Sequence, residues 1–251
     1  MSHQHDEQAP TIILVHGFLD DQTVWDYVTK RLDNTLQVKA IDLPGAGTRI
    51  RDTGPFTLQN LSGAVVEAID AATGPVVLVG HSMGAQLVEL AAVARPAKVT
   101  GLVLLTPIPL AGVHLSGESA ESFRSLGGNV EAQRQGRLAV TASLTPQALE
   151  LLLTSGAKPA PAVVAQVFDA WNDGDPAGLE NSAFGGPTLV LNGTEDPFVT
   201  DEVLGSGVLP RFENISSMSI ERAGHIPHLE QPSDVARIVG TFVSTLTRVE
   251  A

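Results

Sequence analysis

The feature that most restricts the fold is an apolar run that passes through a glycine-bounded pentapeptide into a helical pattern. Residues 75–79 are apolar, residues 80–84 read Gly-His-Ser-Met-Gly, and residues 85–94 have helical composition. The apolar run has the length of a buried strand, so a strand must turn sharply into a helix here. Glycine at both ends of the turn leaves room for the neighbouring strand and helix.

Strand and helix patterns alternate along most of the chain. Further strands are predicted from β-branched and apolar runs at Thr11–Val15, 36–41, Val99–Leu105, 188–191 and 217–220. Helices are predicted from apolar residues at helical spacing in 22–31, 57–72 and 233–246, with Asp21 as the N-cap of the first. This alternation predicts an α/β fold, in which a mostly parallel sheet carries helices on both faces.

Residues 108–184 break this alternation, because their pattern is helical throughout. Thr145-Pro146 is typical of one helix start, and Pro161 of another. A crossover between parallel strands usually needs one helix and two short loops, so this length predicts an inserted helical cap rather than ordinary crossover helices. The predicted organisation is a polar tail (1–10), an α/β core (11–107 and 185–251) and a cap (108–184).

Charge and composition argue against several classes of function. The net charge of −13 and the scattered distribution of 15 basic residues argue against nucleic-acid binding. The absence of cysteine removes disulfides, thiolate metal sites and cysteine nucleophiles. No apolar run is long enough to span a bilayer, and residues 1–10 lack a signal-peptide core. We expect a cytoplasmic protein without membrane insertion; its oligomeric state is not predicted.

Ser82 is the candidate nucleophile. A serine hydroxyl reacts well only when it is presented to a base beside oxyanion donors, and a sharp strand-to-helix turn presents it in this way. The alternative is a glycine-bounded turn with an incidental serine. The clear strand and helix patterns on the two sides favour the nucleophile.

A base and an acid to orient it are expected later in the chain. Asp196 and His225 each follow a predicted strand, and the order Ser, Asp, His is the one expected of such a fold. The carboxyl ends of strands in an open α/β sheet form the ligand crevice. Glu195 and His228 are the competitors. We favour Asp196 by its spacing from the preceding glycine, and we expect His228 to be structural or to face the cap.

The loop after the first strand supplies the second half of a predicted oxyanion hole. The amide N–H groups of Phe18 and Met83 are expected to converge on the negative oxygen of a tetrahedral intermediate. Gly17 allows the backbone to approach closely, and His16 is expected to brace the loop.

These motifs resemble those of the α/β-hydrolase fold superfamily, and they follow its order over nearly the whole chain. They are His16-Gly17-Phe18, the run Asp-Leu-Pro-Gly-Ala-Gly at 42–47, the pentapeptide at 80–84, Gly-Thr-Glu-Asp at 193–196, and Gly224-His225. The resemblance implies a cap over the site. The first strand begins about ten residues in, so the antiparallel hairpin that often opens these sheets is expected to be absent. This start is similar to the hydroxynitrile lyase and plant methylesterase branch, whereas the cap is more similar to bacterial esterases.

The expected activity is hydrolysis of a small, largely hydrophobic ester or lactone through an acyl-enzyme on Ser82. We expect substrate contacts from Trp171, Phe168 and Ile108, and also from His114 unless that side chain is simply exposed. The expected partner is a small-molecule substrate, and neither a metal nor another cofactor is required. Alternatives on the same scaffold are cyanohydrin cleavage, carbon–carbon bond hydrolysis, cofactor-free dioxygenation, and a small-molecule receptor or signalling protein.

Overall fold

A single parallel sheet organises the protein in a computed structural model, which describes residues 10–246. The predicted tail, 1–10, therefore lies almost wholly outside the described residues. The six strands lie in the order β2-β1-β3-β4-β5-β6. They are β1 Thr11–Val15, β2 Gln37–Ile41, β3 Val76–His81, β4 Val99–Leu105, β5 Thr188–Gly193 and β6 Ile215–Ile220. Every pairing in the described sheet is parallel, and no antiparallel hairpin opens it.

Two hydrophobic cores lie on the two faces of this sheet. Ile13 and Val15 face one core, whereas Ile12 and Leu14 face the other, because successive side chains of a strand point to opposite faces. Helices α2 (Leu58–Ala71) and α3 (Met83–Ala94) cover the first face. Helices α1 (Asp26–Thr29), α9 (Pro227–Glu230) and α10 (Pro232–Leu246) cover the second. The predicted α/β fold is confirmed.

The first predicted helix is shorter than its pattern indicates. The segment predicted at 22–31 forms a 3-10 helix, Gln22–Trp25, followed by the single α-helical turn of α1. The predicted N-cap is correct, because the Asp21 carboxylate accepts a hydrogen bond from the Thr23 amide at 3.0 Å.

The segment predicted as a cap forms four α-helices between β4 and β5. They are α4 Gly117–Arg124, α5 Val130–Ala139, α6 Pro146–Gly156 and α7 Pro161–Asp173. Thr145 caps α6 through the Ala148 amide, as its pairing with Pro146 predicts. Helix α4 packs on α7 and α5 packs on α6. That this segment works as a cap stays a prediction.

The carboxyl ends of β1, β3, β5 and β6 lie at one edge of the sheet, since all the strands are parallel. The loops after them carry the residues singled out above. Helix α8, Asp201–Gly207, follows the loop after β5 and was not predicted. Within residues 10–246, no helix is both long and apolar enough to cross a membrane.

Candidate active site

Ser82 lies at the turn between β3 and α3. Its backbone has a conformation that residues other than glycine rarely adopt. Its backbone angles are φ 54° and ψ −119°. The turn is tight, because a Cβ on Gly80 would overlap the Gly84 carbonyl, and a Cβ on Gly84 would lie 2.7 Å from the carbonyl oxygen of His16. A strained residue of this kind persists only where the surrounding structure determines it, and such residues cluster at functional sites.

Ser82, His225 and Asp196 form one hydrogen-bonded chain. The Ser82 Oγ atom lies 3.0 Å from His225 Nε2, and His225 Nδ1 lies 2.8 Å from Asp196 Oδ2. All three side chains are buried. A carboxylate can only accept, so Nδ1 of the neutral imidazole carries the proton and Nε2 is free to accept one from the serine. The structure thus joins three residues that are far apart in the chain.

Asp196 is held as a carboxylate. Burial alone would raise its pKa, but the hydrogen bond and charge interaction with His225 lower it, as do the amides of Val199 and Phe198. These amides donate to Oδ1 at 3.0 and 2.8 Å, which leaves Oδ2 for the imidazole. The net effect is a lowered pKa for Asp196.

The backbone of His225 is fixed on both sides of its side chain. Its N–H donates to the Val140 carbonyl at 2.7 Å. Its carbonyl accepts from His81 Nε2 at 2.8 Å and from Thr106 Oγ1 at 3.0 Å. Burial, with smaller contributions from His228 and His225, lowers the pKa of His81 well below its usual value, so His81 is neutral and donates from Nε2.

Two backbone amides have no protein acceptor, one on the residue after Ser82 and one on Phe18, which lines the same cavity as Ser82. Within the described residues, neither the Phe18 N–H nor the Met83 N–H donates a hydrogen bond to the chain. Gly17 lies close to the His81 ring, since a Cβ there would be 2.8 Å from His81 Nδ1. His16 braces the loop, as predicted, because its Nε2 accepts from the Leu43 amide at 3.1 Å and its Nδ1 donates to the Gly17 carbonyl at 2.9 Å.

An ion pair joins this loop to the inserted helices. Arg137 of α5 donates from Nη2 to Asp20 Oδ1 at 2.6 Å and to the Phe18 carbonyl at 3.2 Å. The Asp20 side chain is wholly buried, and burial raises its pKa even though Arg137 acts in the opposite direction. Sequence reasoning missed this pair, because no local pattern links a residue of a strand loop to one 117 positions later.

A cavity of about 210 Å³ opens beside Ser82 and His225. Its walls come from the loop after β1, the segment after β4, the inserted helices and the loop after β5. Four aromatic side chains line it, namely Phe18, Phe123, Trp171 and Phe198. The Trp171 ring meets each of the other three edge-on, with ring centroids 5.4–6.3 Å apart. The cavity can therefore enclose a small, largely apolar molecule against the serine.

The residues predicted to contact substrate divide into two groups. Ile108 and Trp171 line the cavity. Phe168 does not line it, because its ring is wholly buried, stacks on Phe123 at 5.4 Å and meets Trp171 edge-on at 5.0 Å. His114 is also outside the cavity lining, and its side chain is exposed. Its backbone has a positive φ of 58°.

The competing acid and base lie away from Ser82. Glu195 is exposed, whereas its neighbour Asp196 is buried against His225. His228 is fully buried and stacks on Trp25, with ring centroids 4.6 Å apart. Burial, with the charges of His225 and Arg137, lowers the pKa of His228 to about 3. A histidine so placed packs against the core, in agreement with the structural role expected for it.

No set of metal ligands accompanies these residues. Within residues 10–246, no group of three or more histidine, aspartate or glutamate side chains is arranged to hold a metal ion.

Comparison with known proteins identifies relatives of the whole fold. A model of the "Alpha/beta hydrolase family" matches residues 12–238. A pimeloyl-[acyl-carrier protein] methyl ester esterase of Methylococcus capsulatus is 29% identical over 95% of this chain and 96% of its own length. A karrikin insensitive 2 receptor of Petunia hybrida is 34% identical over 39% of this chain. The chain spans only 34–38% of the length of this receptor and of two other curated relatives.

Solved structures of the same architecture cover almost the whole chain. A bromoperoxidase from Bacillus anthracis has a TM-score of 0.84 at 16% identity, covering 94% of this chain and 92% of its own. The enol-lactonase from Burkholderia xenovorans LB400 has a TM-score of 0.80 at 19% identity, with coverage of 96% and 94%. At these identities the likeness establishes the fold.

Proposed function

Because the chain belongs to the alpha/beta hydrolase family, we propose that it is a serine hydrolase acting on a small, largely hydrophobic ester or lactone. The observation that carries this proposal is the chain of hydrogen bonds from Ser82 through His225 to Asp196, at 3.0 and 2.8 Å. Two amides without protein acceptors lie in the segments beside it. This arrangement suits acyl transfer, which needs a nucleophile, a base and donors for a developing negative charge.

Acylation begins when Ser82 Oγ attacks the carbonyl carbon and its proton passes to His225 Nε2. The carbonyl oxygen becomes negative and accepts from the Phe18 and Met83 amides; losing one such donor typically costs about 10²–10³ in rate. The tetrahedral intermediate then collapses, the bond to the leaving oxygen breaks, and Nε2 returns the proton to that oxygen. Asp196 keeps the Nδ1 proton in place and stabilises the imidazolium.

Deacylation repeats these steps with water. His225 accepts a proton from the water as its oxygen attacks the acyl carbon. The bond to Ser82 then breaks, the carboxylic acid leaves, and the proton on Nε2 returns to the serine oxygen. Atoms and charges balance without a further reagent.

The cavity supports the substrate class. An engineered cavity of about 150 Å³ holds benzene, so one of about 210 Å³ holds on the order of eight to ten non-hydrogen atoms. Its lining is mainly aliphatic and aromatic, which favours apolar acyl or alcohol groups. Relatives named as a methyl ester esterase and an enol-lactonase agree with ester or lactone hydrolysis.

Removal of the nucleophile tests the proposal. Ser82→Ala should abolish covalent labelling by a fluorophosphonate and lower turnover of short-chain aryl esters by several orders of magnitude. Ser217→Ala, a change at an exposed serine of β6, is the matched control and should behave as the wild type. Unchanged labelling of the Ser82 variant would refute the role of this serine.

A small-molecule receptor is the second candidate, favoured by the similarity to the karrikin insensitive 2 receptor. A receptor would bind a ligand in the cavity without steady turnover. A panel of esters and lactones, assayed for both binding and hydrolysis, separates the two candidates: saturable binding in the wild type with no product release would favour the receptor.

A further inference from the structure

Glu230, the last residue of α9, accepts an unusual set of hydrogen bonds. Its side chain is buried, and four backbone amides donate to its carboxylate. Oε2 accepts from Ala142 at 2.7 Å and from Ser143 at 2.8 Å. Oε1 accepts from Ile226 at 3.2 Å, and the Gly224 amide lies 3.1 Å from both oxygens.

These four amides belong to two separate parts of the protein. Gly224 and Ile226 immediately precede and follow His225. Ala142 and Ser143 lie between α5 and α6 of the inserted segment. Two residues earlier, the Val140 carbonyl accepts from the His225 amide at 2.7 Å, and Val140 also lines the cavity. One carboxylate therefore joins the loop of the proposed base to a wall of the cavity.

The hydrogen bonds to Glu230 offset the free-energy cost of its burial. A buried carboxylate is unfavourable when it is unpaired. None of its hydrogen-bond partners among the described residues is a cationic side chain. A carboxylate accepts at both oxygens, whereas glutamine would present an NH₂ group to one pair of donors.

We propose that Glu230 is a positioning residue, which holds His225 at hydrogen-bonding distance from Ser82 and fixes the 140–143 turn to the same loop. The proposal rests on the proposed function, because His225 must act as a base for its position to affect the rate. The Ser82 Oγ–His225 Nε2 distance is 3.0 Å, and a displacement of 1 Å in a reacting group can cost on the order of 10² in rate.

Glu230→Gln is the test, and Glu221→Gln is the matched control, since Glu221 is an exposed acid that follows β6. Steady-state turnover of a short-chain aryl ester is measured at 20 °C, together with the melting temperature. We expect kcat of Glu230→Gln to fall about 10- to 100-fold with KM within about threefold, because loss of base alignment affects the chemical step. Fluorophosphonate labelling should slow by a similar factor. Glu221→Gln should match the wild type in all three measurements.

A purely structural Glu230 would give a different result. The melting temperature of Glu230→Gln would then fall while kcat and the labelling rate at 20 °C stayed at the wild-type values, and this result would overturn the proposal.

Amide hydrogen exchange in the wild type tests the same contact without a substitution, even where the variant does not fold. The amides of Ala142, Ser143, Gly224 and Ile226 should be protected and should exchange at similar rates. Rapid exchange at Ala142 and Ser143, with protection at Gly224 and Ile226, would contradict the proposed link. If the wild type neither turns over esters nor reacts with the fluorophosphonate, the proposed function fails, whereas the exchange measurement still tests the contact.

Discussion

Two phenylalanines near the cavity should respond in opposite ways to truncation. Phe168 is wholly buried in α7, stacked on Phe123 and edge-on to Trp171, but it does not line the cavity. Phe198 is half-buried and lines the cavity, with its ring edge-on to His225 at 5.4 Å. Phe168→Ala and Phe198→Ala remove the same atoms and thus form a matched pair.

The expected losses of stability follow from burial. Truncation of a fully buried phenylalanine costs about 3–5 kcal/mol, which includes the cavity left behind. In a domain of this size each kcal/mol lowers the melting temperature by roughly 2–4 °C, so Phe168→Ala should lose about 6–20 °C. Phe198→Ala should lose roughly 1–1.5 kcal/mol, because part of its ring already faces open space.

Substrate preference should show the reverse order. The assay compares kcat/KM for methyl phenylacetate with kcat/KM for methyl acetate, since the two esters share a leaving group and differ only in the size of the acyl part. Phe198→Ala should change this ratio about fivefold or more, equivalent to about 1 kcal/mol of lost or gained contact. Phe168→Ala should leave the ratio within about twofold of the wild type. A shifted ratio in Phe168→Ala, with an unchanged melting temperature, would refute the assignment of Phe168 to the core.

Two further predictions follow from the acid and from a buried histidine. Asp196→Asn should lose most ester turnover while the protein stays folded, because asparagine can favour the wrong imidazole tautomer. Glu195→Gln should lower kcat far less. A larger loss of kcat in Glu195→Gln than in Asp196→Asn would show that the wrong carboxylate has been chosen. Burial lowers the pKa of His228 in the folded protein to about 3, below its pKa in the unfolded chain. At a pH between these two pKa values, the unfolded chain binds one proton more than the folded protein. The contribution of His228 to the free energy of unfolding should therefore be complete above about pH 6.5. It should be lost as the pH drops towards 3, by up to about 1.4 kcal/mol per pH unit. Urea unfolding midpoints at pH 7, 6 and 5 measure this slope; His228→Phe should reduce it, and an undiminished slope would contradict the assignment.

Residues that follow strands were predictable from the sequence. Ser82 comes directly after β3, and Asp196 and His225 lie in the loops after β5 and β6. Parallel strands bring their carboxyl ends to one edge of the sheet. Local composition and chain order therefore identify them before any tertiary contact is known. The spacing from Gly193, rather than the position after a strand, separates Asp196 from its neighbour Glu195.

The walls of the cavity were less predictable, because they depend on how helices pack. Phe168 and Trp171 lie three residues apart on the same face of α7, so helical periodicity predicts burial for both. Only the position of α4 decides that Trp171 lines the cavity while Phe123 covers Phe168. Phe123 was missed for the same reason, and Phe198 was missed because it lies in the irregular loop after β5.

No local pattern in the sequence identifies Glu230. Charged side chains are usually exposed, so an acid in a short helix between two prolines is expected to face solvent. Its contact with two amides 87 and 88 positions earlier follows only from the folded chain.

The inserted helices contact residues outside the insertion, and these contacts decide which residues must be moved together when the insertion is exchanged between relatives. A chimera cut at 108 and 184 would receive foreign residues at 137 and at 140–143. Asp20 would then be buried without Arg137, and breaking a buried ion pair in this way typically costs about 3–5 kcal/mol. Glu230 would keep all four donors only if the foreign turn placed two backbone amides where those of Ala142 and Ser143 lie. The exchangeable unit is therefore discontinuous in the chain: a graft that keeps its partners must carry Asp20 and Glu230 with it, although neither residue lies in the insertion.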